Sequence, residues 1–134
     1  MKLLDWFWAY DKNLRDGVKT SIADVDADGY PEIVTTPASE SGPNMRLFEF
    51  NQNSRKFELV DWVMTYQSSY RGEIRTRVGD LEGDGDYEII VTPQTNGGPN
   101  VRVYSWVNGQ LELQKWFLAF DKKFDGGVVA NIIY

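Results

Sequence analysis

The sequence contains neither cysteine nor histidine among its 134 residues. Without cysteine the chain cannot form disulfides or thiolate metal sites, and the redox state of its compartment is not indicated. Without histidine, a Ser-His-Asp triad and most kinds of zinc site are excluded. No apolar run approaches the roughly 20 residues that a membrane-spanning helix needs. We therefore expect no membrane insertion and no enzymatic activity.

Positive charge is also scarce, because 14 Lys and Arg stand against 20 Asp and Glu, for a net charge of −6. This balance argues against a nucleic-acid partner, whose phosphates require clustered basic residues. No basic segment followed by an apolar one resembles a secretory signal in this chain. What is abundant is apolar and aromatic: 42% of residues are hydrophobic and 14% are aromatic, which predicts a folded domain with a real core.

The sequence repeats itself. Asp24-Val-Asp-Ala-Asp-Gly29 recurs 56 positions later as Asp80-Leu-Glu-Gly-Asp-Gly85, and Gly42-Pro-Asn44 recurs as Gly98-Pro-Asn100. A fixed period of this length indicates a repeat architecture, in which each unit buries a face against its neighbours. An aromatic pattern recurs in three copies: Trp6 and Tyr10, Trp62 and Tyr66, Trp116 and Phe120.

Each period contains four short segments with β-strand character. In the first period, Val18, Thr20 and Ile22 alternate with polar or small residues, and a β-branched run at 32–36 is closed by Pro37. An alternating run at 45–50 and an aromatic run at 60–66 follow. Four short strands joined by tight turns have the size and content of one β-propeller blade. The sequence therefore predicts an all-β fold built from blades of four antiparallel strands.

We expect residues 1–134 to form a single repeat array. Blade one spans residues 17–66 and blade two 72–120, with an orphan outer strand at 1–11 and an orphan inner strand at 127–134. Two blades cannot close a ring, which usually needs about four to eight. The chain is then either part of a longer protein or a homo-oligomer that closes through its orphan edge strands. A stand-alone sandwich of about ten strands is the alternative.

The repeated acidic loop has the pattern of a calcium site. Carboxylates at loop positions 1, 3, 5 and 9 and a carbonyl at position 7 surround a glycine at position 6, which allows the backbone to reverse at positive φ. This spacing directs oxygens to one centre, and Ca²⁺ takes about 6–8 oxygen ligands. We predict two Ca²⁺ sites with these ligands: Asp24, Asp26, Asp28, the Tyr30 carbonyl and Glu32; then Asp80, Glu82, Asp84, the Asp86 carbonyl and Glu88.

The acidic loop has two other interpretations. An EF-hand needs flanking helices and a bidentate Glu at position 12, where this chain has Thr35 and Val91. An acidic turn that binds nothing is the simpler alternative. The in-register duplication and the mutual repulsion of the carboxylates favour a cation with a structural, non-catalytic role.

Two further groups of residues have alternative roles. Arg75 and Arg77 share one face of a strand, and we expect them to pair with neighbouring carboxylates. Six aromatic residues are expected to pack between blades, with a sugar-binding platform as the alternative. These residues are Trp6, Trp8, Trp62, Trp116, Phe117 and Phe120.

The acidic loops with the strands after them, at 24–34 and 80–91, resemble FG-GAP repeats, the calcium-loop blades of the integrin α-subunit propeller. The closest likeness is to bacterial FG-GAP/VCBS-type repeats, in which an Ala-Tyr-Asp strand and a Gly-Gly-Pro-Asn turn flank the loop. Trp8-Ala-Tyr-Asp11, Leu118-Ala-Phe-Asp121 and Gly97-Gly-Pro-Asn100 match that pattern. The family's Gly-Ala-Pro after the second strand is Thr35-Thr36-Pro37 here.

The resemblance implies a seven-bladed propeller when complete, Ca²⁺ in the loops, and an extracellular or cell-surface setting. On this basis the expected function is a non-catalytic calcium-binding module for extracellular binding or adhesion, with a protein or glycan ligand that the sequence does not identify. Two alternatives remain. One is a purely structural repeat that self-assembles into a closed propeller or filament, and the other is a lectin-like or carbohydrate-enzyme-associated propeller.

Overall fold

The computed structural model describes residues 1–38 and 41–133, which form two antiparallel sheets of four strands each. In both sheets the strands follow one another in sequence order, as a meander. The prediction of an all-β fold with four-stranded units is confirmed, although the described residues form two sheets and no closed propeller. The first sheet contains β1 (Val18–Ala23), β2 (Glu32–Pro37), β3 (Asn44–Asn51) and β4 (Lys56–Met64). The second contains β5 (Ile74–Gly79), β6 (Glu88–Pro93), β7 (Asn100–Val107) and β8 (Gln110–Leu118).

Local sequence signals set several strand ends. β2 and β6 end at Pro37 and Pro93, because proline cannot donate to the next ladder position. The turn from β7 to β8 uses Asn108 and Gly109 at φ of 50° and 85°, the signs that a type I′ hairpin requires. β4 begins at Lys56, earlier than the aromatic run indicates, because its first half pairs with the end of β3.

The segments outside the sheets form no strand in the described part of the chain. Residues 1–17 and 119–133 are irregular apart from a single bridge between Gly97 and Gly126. The segments 1–11 and 127–134, expected as orphan strands, thus form no strand over the residues that the structure describes. Tyr134 lies outside the described residues. Over residues 1–38 and 41–133 there is no helix long and apolar enough to cross a bilayer.

The two sheets pack face to face in the same orientation. We call the face with Val18, Thr20 and Ile22 the front of the first sheet; repeat-equivalent residues of β5, including Thr76, form the front of the second. The opposite side of each sheet is its back. Ser21 on the back of the first sheet lies 3.0 Å, hydroxyl to hydroxyl, from Thr76. The first strands of the two sheets, β1 and β5, are in contact, as are the last strands, β4 and β8, and β2 also contacts β5.

The hydrophobic core lies between the back of the first sheet and the front of the second. Because only the front of the second sheet is covered by another sheet in the described part of the chain, equivalent residues differ in exposure: Ile74 is 1% exposed, whereas Val18 is 43% exposed. The shared core therefore joins both sheets into one packed unit. Its buried members are Val25, Val34, Met45, Leu47, Ile74, Ile89, Val91, Tyr104 and Leu111.

Candidate metal centre

The first acidic loop connects β1 to β2 and is organised by its own carboxylates. Asp24 accepts hydrogen bonds from the backbone N–H groups of Asp28, at 3.0 Å, and Gly29, at 2.9 Å. Asp28 accepts one from the Tyr30 N–H at 2.7 Å. Gly29 has a φ of 92°, the left-handed conformation expected at the sixth position. The loop backbone therefore wraps around the carboxylates.

Four carboxylates of this loop converge. One carboxyl oxygen each from Asp24, Asp26, Asp28 and Glu32 lie within 4.8 Å of one another. Two oxygens bound to the same Ca²⁺ at about 2.4 Å can be at most about 4.8 Å apart. The donor set is therefore spaced for one divalent cation. Tyr30, predicted to ligate through its carbonyl, follows in the same loop with a 53% exposed side chain.

Glu32 is the buried member of the cluster, with only 1% of the residue exposed. Its Oε2 accepts a hydrogen bond from the Val25 N–H at 2.7 Å, whereas its Oε1 has no hydrogen-bond partner in the described part of the chain. Burial raises the pKa of Glu32 to about 7; the Val25 N–H opposes this, and the neighbouring charges of Asp26, Asp28 and Asp24 add to it. A bound cation would compensate such a carboxylate.

Glu49 on β3 also borders the loop, although the sequence did not indicate it. Burial raises its pKa, and the charges of Asp26, Asp28 and Glu58 raise it further. Glu49 and Asp28 line the same groove. Ser105 occupies the equivalent position in the second sheet, so the internal repeat carried no signal for this residue.

The second loop, between β5 and β6, repeats the same local backbone. Asp80 accepts hydrogen bonds from the N–H groups of Gly83, Asp84 and Gly85, at 2.6, 3.2 and 3.0 Å. Glu88 Oε2 accepts one from the Leu81 N–H at 2.8 Å, as Glu32 does from Val25. The hydrogen bonding of the loop is thus encoded within each repeat.

The carboxylates of the second loop are arranged differently. Among the described residues, Asp80, Glu82, Asp84 and Glu88 form no group of converging oxygens like that of the first loop. Instead, Glu82 Oε1 pairs with Lys115 Nζ at 3.2 Å, and the position equivalent to Lys115 in the first sheet is Asp61. Because both side chains of this pair are largely exposed, little free energy holds Glu82 there.

The six aromatic residues predicted to pack between blades lie at the surface. Trp6, Trp62 and Trp116 are 69%, 52% and 61% exposed at equivalent repeat positions. Trp8, Phe117 and Phe120 are exposed as well. The contact between the sheets is made mainly by aliphatic side chains such as Val34 and Leu47, so the expected packing of these six residues between blades is not observed.

Comparisons of the chain with protein-family models, with curated proteins and with solved structures found no match. The interpretation of the site therefore depends on its own geometry and chemistry.

Proposed function

We propose that this chain is a non-catalytic, calcium-binding module built from propeller blades of FG-GAP type. The observation that carries the proposal is the convergence of four carboxyl oxygens within 4.8 Å in the first loop. The Glu32 Oε1, which has no hydrogen-bond partner among the described residues, gives independent support, since a buried carboxylate oxygen requires a compensating charge or donor.

The chemistry of the donor set favours Ca²⁺ over other metals. All four side-chain donors are carboxylate oxygens, which hard cations prefer, and the chain contains no histidine or cysteine to attract softer ones. The Tyr30 carbonyl and water would bring the oxygen count to the range that Ca²⁺ takes. Because its ligands span the connection from β1 to β2, the ion would stabilise that hairpin.

We propose a second, weaker Ca²⁺ site in the other loop, with ligands Asp80, Glu82, Asp84, the Asp86 carbonyl and Glu88. Its backbone is already folded, but Glu82 must leave Lys115 before it can ligate. The two sites should therefore differ in affinity, with the first loop filling earlier. Extracellular calcium modules commonly bind in the range of about 10⁻⁴–10⁻³ M, and we expect these sites to lie there.

Calorimetric titration of Ca²⁺ into chelator-stripped protein tests the proposal, with thermal melting recorded on the same samples. We expect two binding steps and a melting temperature that rises with Ca²⁺. Glu32→Gln should remove the tighter step and Glu88→Gln the weaker one, since an amide keeps the side-chain shape without the charge. Lys115→Gln should strengthen the weaker step by releasing Glu82.

Two results would contradict this function. The first is an absence of both heat and stabilisation at millimolar Ca²⁺, which would leave the loops as acidic turns. The second is equal binding by wild type, Glu32→Gln and Glu88→Gln, which would place the ion elsewhere. Mg²⁺ at the same concentrations is the control for a general effect of divalent charge.

The packing of the sheets supports the blade interpretation. In a two-sheet sandwich the apolar faces turn inward and the outer faces are polar. Here the back of the first sheet meets the front of the second, and Val18 and Ile22 remain exposed on the front of the first sheet, which no other sheet covers among the described residues. This front-to-back order with like strands adjacent is the arrangement of successive propeller blades. We accordingly propose a binding or adhesion role in an extracellular or cell-surface setting.

The exposed tryptophans favour glycan binding as a second candidate function. Trp6, Trp62 and Trp116 recur once per repeat and more than half of each is exposed, although apolar residues of this size are normally buried. Aromatic faces of this kind can stack on sugar rings. A glycan panel monitored by tryptophan fluorescence tests this candidate; a ligand whose signal survives in both Trp62→Ala and Trp116→Ala would exclude these residues as the platform.

A further inference from the structure

A cluster of positively charged residues lies on β1 and β5, the first strand of each sheet. Lys19 on β1 and Arg75 and Arg77 on β5 line one groove together with Thr20 and Thr76, with a volume of about 310 Å³. We call these five residues the inner groove. β1 and β5 are edge strands of their sheets, so backbone groups on this side have no strand partner in the described part of the chain. The groove is therefore open to a ligand.

The cations of the inner groove are incompletely balanced. Lys19 pairs with Glu73, but within residues 1–38 and 41–133 neither Arg75 nor Arg77 pairs with a carboxylate. The expected pairing of the two arginines with neighbouring carboxylates is thus not observed. Burial lowers the pKa of Lys19, and the charges of Arg75 and Arg77 lower it further, so the three cations lie close enough to repel one another. In a chain of net charge −6, this clustering opposes the overall field.

The guanidinium groups of Arg75 and Arg77 also differ in the number of hydrogen bonds that orient them. Arg77 donates from Nη1 to the Thr76 carbonyl at 3.0 Å and from Nε to Asn131 Oδ1 at 3.3 Å, which orients its remaining donors. Arg75 donates no hydrogen bond to any described residue. Lys19 and Arg75 occupy the same repeat position on the two edge strands, so stacking of the sheets places both along one groove.

We propose that the inner groove binds an oxyanion, either a phosphate or sulfate group or a carboxylate. Guanidinium groups present paired N–H donors that match such oxygens, and an anion there would relieve the repulsion among Lys19, Arg75 and Arg77. The site is separate from the acidic loops and does not require their metal. It gives the module two binding places of opposite charge.

Thermal melting and calorimetry with inorganic phosphate, sulfate and acetate test the proposal. The chelator-stripped chain is used so that Ca²⁺ does not interfere, and chloride at matched ionic strength is the reference. We expect one of the oxyanions to bind and to raise the melting temperature above the chloride value. The member of the series that binds identifies the ligand class, phosphate-like or carboxylate.

Three single-site variants locate the effect. Arg75→Gln and Arg77→Gln should each weaken binding by roughly tenfold or more, since each removes a charge-assisted donor. Arg55→Gln removes the same charge from the exposed turn between β3 and β4 and should leave binding unchanged. The proposal is overturned if every anion acts like chloride, or if the Arg75 and Arg77 variants bind as tightly as Arg55→Gln.

Discussion

At the residue scale, the fourth position of the two acidic loops shows how one backbone is built from different residues. Ala27 and Gly83 both lie in the left-handed region, at φ of 58° and 75°. A side chain in this conformation brings Cβ close to the backbone and costs about 1–2 kcal/mol, whereas glycine has no such cost. A Cβ added at Gly83 would meet no atom within 4 Å, so the backbone conformation alone sets the difference.

Exchanging these residues should therefore have opposite effects. We expect Ala27→Gly to raise the free energy of unfolding by about 1 kcal/mol and Gly83→Ala to lower it by a similar amount. Urea denaturation in the presence of chelator measures both without a contribution from metal. A change of the same sign in the two variants would show that contacts other than backbone conformation govern the loops.

At the element scale, residues 1–11 occupy on the first sheet the position that the end of β4 occupies on the second. Asp5 accepts a hydrogen bond from the Phe57 N–H at 2.8 Å, and Asp61 accepts one from the Leu111 N–H at 2.7 Å. The Arg46 guanidinium also lies 4.6 Å from the centre of the Tyr10 ring, and an equivalent cation–π contact is made on the second sheet. Thus an irregular segment substitutes for the outer strand of a preceding sheet.

Tyr10 anchors this segment. Its hydroxyl lies 2.9 Å from the Thr35 carbonyl oxygen and 2.8 Å from that of Asn44. We expect Tyr10→Phe to lower the free energy of unfolding by about 1–2 kcal/mol, because the two part-buried carbonyls lose the single hydroxyl donor that they share. Tyr30→Phe is the matched control, since the Tyr30 side chain is 53% exposed. Equal losses in the two variants would mean that the segment is not held by Tyr10.

The same hydroxyl gives a pH dependence. Burial raises the pKa of Tyr10 from 10.0 to about 12, although Thr35 and Arg46 lower it. The folded chain therefore retains a proton that the unfolded chain releases, so this stabilisation is complete below pH 10 and is lost as the pH rises through about 12. Urea denaturation across this range should show a smaller alkaline loss for Tyr10→Phe than for wild type.

At the scale of the whole molecule, the two sheets have the same fold but unequal surroundings. The front of the second sheet is covered by the first sheet, whereas in the described part of the chain the front of the first is covered in part by the N-terminal segment, including Phe7 and Tyr10. On the other side, Phe117 and Phe120 are exposed on the back of the second sheet. The Tyr66 hydroxyl and the Asp61 carboxylate of the first repeat bond to the second sheet. At the equivalent positions of the second repeat, Phe120 and Lys115 supply neither group.

Equivalent substitutions in the two sheets should therefore lower the free energy of unfolding by different amounts, depending on whether the other sheet covers the residue. Ile74→Ala removes a side chain that is 1% exposed at the contact between the sheets and should cost about 2–5 kcal/mol. Val18→Ala, at the same repeat position but 43% exposed, should cost less than about 1 kcal/mol. Because the core is shared, both sheets should unfold in one transition. Equal costs, or two separate transitions, would contradict the shared core.

Several features followed from the sequence because they depend on neighbouring residues only. Pro37 and Pro93 end strands through a missing N–H, Gly29 reverses the loop through its positive φ, and alternation placed β1 and β5. The repeated Asp and Gly positions likewise encoded the same hydrogen-bonded loop twice. The sequence by itself thus determined the strands of the two sheets, their turns and the four-stranded unit.

Tertiary structure decided what the repeat could not, because the deciding contacts join residues far apart in the chain. Lys115 pairs with Glu82, 33 positions away in the chain, whereas Asp61 stands at the equivalent place in the first repeat. Glu49 borders the first loop only after β3 has folded against β2. The packing of the two sheets also brings Lys19 into one groove with Arg75 and Arg77. It leaves Trp6, Trp62 and Trp116 exposed, because the burial of a side chain depends on which face of its sheet is covered.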